Sequence, residues 1–156
     1  MSEAEFSDDV RNRIVFDYEV GMYKSLHWLF NCGAVAAYSP VAGMAITEAL
    51  ALHTRVLCEV LLTDAADRKW YAKKDIVFDE LLPGFDLPSR DLLRSAYGDK
   101  NKDSSPAARL NALLAHATTL RASYHHWGET LSPVWEALDP CLDEIEHELR
   151  RREETI

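Results

Sequence analysis

The chain has 156 residues, 47% of them hydrophobic, enough to build the core of a single domain. Its 26 acidic and 17 basic residues leave a formal charge of −9. That excess excludes a broad, sequence-independent grip on DNA or RNA and docking on anionic lipid, since both need basic surface; one local basic pocket remains compatible with it.

Cys32, Cys58 and Cys141 are odd in number and form no C-x-x-C pair. Reduced thiols and a cytoplasmic location are therefore expected. The stretch from Met1 to Asp9 is acidic and lacks the basic-then-apolar layout of a signal peptide. No apolar run approaches the roughly 20 residues of a membrane span.

In chain order, a first helix is predicted over 7–32, with Val15, Met22, Leu26, Leu29 and Phe30 on one face. The second and most apolar helix is predicted over 40–64, opened by Ser39-Pro40. Residues 65–88 are less regular and carry a basic patch of Arg68, Lys69, Lys73 and Lys74, then Pro83-Gly84. A short helix follows at 89–97 and a polar loop from Gly98 to Ser105. The fourth long-range element is a helix over 106–127, opened by Ser105-Pro106. The last stretch is expected to start at Ser132-Pro133 and to kink or restart at Asp139-Pro140. Gly33, Gly98 and Gly128 each follow a helical stretch, where a left-handed residue ends a helix. No segment alternates with a period of two. The expected fold is all-α, a single helical bundle of about five helices with antiparallel neighbours.

Few residues stand out chemically. His53 falls among Ala49, Val56, Leu57 and Val60 on an apolar helix face. It reads either as a core histidine with one hydrogen-bond partner or as half of a polar pair inside the bundle, packed against another helix, with helix 106–127 as the expected neighbour. Glu48 and Arg55, seven apart on another side, read as a solvated or inter-helix ion pair. On helix 106–127, Arg109 and His116 lie seven apart along one edge of the stripe Leu110, Leu113, Leu114, Ala117 and Leu120. A guanidinium fork beside an imidazole suits a phosphate, the one holding the anion and the other moving protons. Arg121 and, from the second helix, Arg55 can add positive charge there. Asn111 points about 140° away from His116 and is expected to bond a neighbouring helix or a mate. Glu144 and His147 have the Glu-x-x-His spacing of bundle metal sites, but no second copy exists, and a solvated face is the expected role. His125 and His126 close a helix end, where a cationic imidazole is suited. Neither metal nor cofactor is expected.

An arginine followed by four to six residues and then a histidine, on a late helix of a small all-α bundle, resembles the HEPN superfamily. Arg109 and His116 have six residues between them, with Leu110 after the arginine where many members carry a polar residue. The chain also resembles a group of small uncharacterised bacterial helical proteins, through His53, Arg55 and Leu57 and through Asn111, Ala115, His116, Thr118 and Arg121. The HEPN resemblance implies a homodimer and a metal-independent ribonuclease of a toxin or defence system, with His116 and Arg109 at the cut phosphate. It equally implies inactive members that bind partners. Two functions are thus expected to compete: RNA cleavage, or a non-catalytic helical module binding a protein or small ligand. Neither DNA nor a membrane is an expected partner.

Overall fold

The computed structural model describes residues 8–33, 37–67, 76–115 and 127–155. Helix α1 spans Asp8–Cys32 and α2 spans Pro40–Leu62, followed by a 3-10 turn at Ala65–Asp67 and a single α-turn, α3, at Phe78–Leu81. Then come α4 at Arg90–Tyr97, α5 at Pro106–Ala115 and α6 at Trp127–Glu153. The described residues contain no strand, and the all-α expectation holds.

Helices α1 and α2 form an antiparallel hairpin. Glu19 and His53 meet across it, each thirteen residues from the connection. Helix α2 is the hub and touches α1, α3, α4, α5 and α6, as its composition requires. Leu50, Ala51, Leu57, Cys58 and Leu61 on its inner side are buried. Helix α6 closes the bundle with Leu131, Val134, Trp135, Leu138, Cys141, Leu142 and Ile145.

Two of the serine-proline pairs begin helices as expected. The Ser39 hydroxyl accepts from the Ala42 N–H, and the Ser105 hydroxyl from the Ala108 N–H. The third pair does not. Helix α6 starts before Ser132 and runs through both Pro133 and Pro140. Each proline removes one helical hydrogen bond, at about 3 kcal/mol, yet a fully buried aliphatic side chain returns about 1.5–3 kcal/mol. One unbroken stripe of buried residues outweighs two prolines on the opposite, wetter side. For the same reason Gly128 is not a stop. It lies inside α6, where a Cβ would meet the Phe30 ring at 3.4 Å. Gly33 and Gly98 do adopt positive φ at helix ends, and Gly84 does so in the turn after Pro83.

Candidate functional site

The expected site residues divide between the described chain and the rest. His116 and Arg121 lie outside the described residues, as do His125, His126 and the basic patch at 68–74. Arg109 is half-buried on α5, and its Nη1 donates to the Thr130 hydroxyl on α6 at 3.4 Å. Asn111 is half-buried on the same helix. Arg55 donates to Glu59 one turn on at 3.0 Å, so its ion-pair partner is Glu59 rather than the expected Glu48.

His53 is buried, as its apolar neighbours require, and it is half of a polar pair. Its partner comes from α1 and not from α5: Nδ1 lies 2.6 Å from Glu19 Oε2. The Tyr18 ring stands edge-on to the imidazole at 6.0 Å. The face assignment on α2 was legible because Val56, Leu57 and Val60 surround the histidine. The partner was not, because Glu19 stands 34 residues earlier in a helix whose charged positions look alike.

Glu144 departs from the solvated role. Its carboxylate accepts from the Ser89 N–H at 3.0 Å and the Ser89 hydroxyl at 2.6 Å, holding the start of α4 to α6. His147 is exposed. Among the described residues no three His, Cys, Asp or Glu side chains gather as a metal group would need.

A seam runs between α1, α2 and α6. Tyr23 is fully buried and donates to Asp139 at 2.8 Å. Burial, and next the Asp139 carboxylate, push its phenol well above the ordinary tyrosine range, so it stays a donor. The His27 ring lies between those of Tyr23 and Trp135, tilted to both. The Trp135 indole N–H donates to the Thr54 hydroxyl, which itself donates to the Leu50 carbonyl. Tyr23, Trp135 and Thr54 each have a hydrogen-bond partner within the protein, which suits a structural joint. Asp139 therefore serves Tyr23 and does not cap a restarted helix.

The opposite side of the hairpin is different in kind. On α1, Val10, Ile14, Tyr18 and Trp28 follow one another at helical spacing and are all exposed, Trp28 by 66% and Tyr18 by 58%. Gly21 and Ser25 fill the gaps in that row and are exposed too. On α2, Val41, Met44 and Leu52 are exposed too. Trp28 and Met44 sit at the same depth, each four residues from the connection. Helix α1 is thus apolar on both sides. The face read from its sequence is displaced accordingly: Leu26 is buried but Val15 is exposed, and the buried positions are Phe16, Tyr23 and Leu26.

Comparison with family models, curated proteins and solved structures returned no match. None of the described helices is long and apolar enough to cross a membrane.

Proposed function

We propose that this chain is a non-catalytic helical module that docks a protein partner through the outer face of the α1–α2 hairpin. The observation that carries the reading is the row of exposed Val10, Ile14, Tyr18 and Trp28 on α1, with Val41, Met44 and Leu52 exposed on α2 as well. Scattered exposed apolar residues are ordinary, but a row of them repeated along one helix face favours an interaction surface. Aromatic residues and Met are also enriched in interface cores. The ribonuclease reading asks Arg109 to face a phosphate with His116. The bond from Arg109 to Thr130 instead favours a role tying α5 to α6.

A photo-crosslinking residue placed at Met44 in cells tests the reading, with exposed Asp91 as the control position. Adducts are expected at Met44, absent at Asp91 and lost when Trp28→Glu is added. No adduct at Met44 overturns the docking reading. In a parallel assay, wild type and His116→Ala are incubated with mixed RNAs in a chelator. Equal product patterns are expected. Cutting by wild type that disappears in a well-folded His116→Ala protein would replace this reading with metal-independent RNA cleavage.

A further inference from the structure

We draw no further inference here: the strongest candidate, the exposed apolar surface at the connection end of the α1–α2 hairpin around Trp28, Val41 and Met44, belongs to the docking face already described, and nothing in the structure shows what covers it.

Discussion

The two sides of α1 both carry apolar side chains and do opposite things. On the inner side Phe16, Tyr23 and Leu26 are buried, and the polar atoms of Tyr23, Trp135 and Thr54 each find a partner inside the protein. On the outer side Ile14, Tyr18 and Trp28 face water. Burial follows which side the hub helix and α6 occupy, not which side is more hydrophobic. An outer face kept apolar at the expense of solubility therefore has its own use, whereas the inner face needs no explanation beyond the core.

The contrast is broken most directly by matched tryptophan substitutions. Trp135→Ala should cost about 3–5 kcal/mol, through a cavity and an unpaired Thr54. Trp28→Ala should change the stability of the isolated chain by no more than about 0.5 kcal/mol, as exposed sites do. Chemical denaturation of both at one dilute concentration measures the pair. Comparable losses would mean that the outer face is part of the core.

The Glu19–His53 pair at the edge between the two sides comes next. His53→Ala should lower stability by about 1–3 kcal/mol, because it leaves both a cavity and a half-buried carboxylate without its partner. A double-mutant cycle with Glu19→Gln should return a coupling above about 0.5 kcal/mol. Additive effects would place the two side chains out of contact in solution.

Carboxylates on α6 extend the comparison to charge. Glu148 is only 5% exposed and accepts from both Arg151 and Arg152, while Glu146 stands in solvent with Lys24 and Arg150. Hydrogen bonds from Arg151 and then Arg152 hold the Glu148 carboxyl down to about 2, from an ordinary 4.5. A depressed carboxylate stabilises the fold fully above its unfolded value. That contribution should therefore be lost as pH falls from about 4.5 toward 2. Thermal melts across that window should show Glu148→Gln with a shallower acid limb than wild type. Gly21→Ala should raise the stability of the dilute chain by about 0.5–1 kcal/mol, since nothing within the described chain opposes a methyl there.

Helix positions were legible from local punctuation where the punctuation acted alone. Ser39-Pro40 and Ser105-Pro106 begin helices, and Gly33 and Gly98 end them, because caps and left-handed residues are decided within a few positions. The same signals at Gly128 and Ser132-Pro133 failed because a decision over 27 residues, the continuous buried stripe of α6, overrode them. At the site, the burial of His53 followed from its neighbours, but Glu19 did not, since it depends on which helix lies alongside. The outer row on α1 was hidden for a simpler reason. Periodicity finds an apolar face only by contrast with a polar one, and here Val15, Met22 and Leu29 bridge the two sides.

The hub helix has a consequence for the order in which the molecule is made. Helix α2 ends at Leu62 and α6 begins at Trp127, 65 residues later. At 5–20 residues per second, a ribosome needs about 3–13 s to cross that interval. Until then Tyr23, His27 and Thr54 lack their Asp139 and Trp135 partners, and the hairpin is apolar on an incompletely covered inner side as well as on its outer row. Neighbouring nascent chains on one message meet in that state, so the outer row competes with an apolar inner surface whose cover only the arrival of α6 completes.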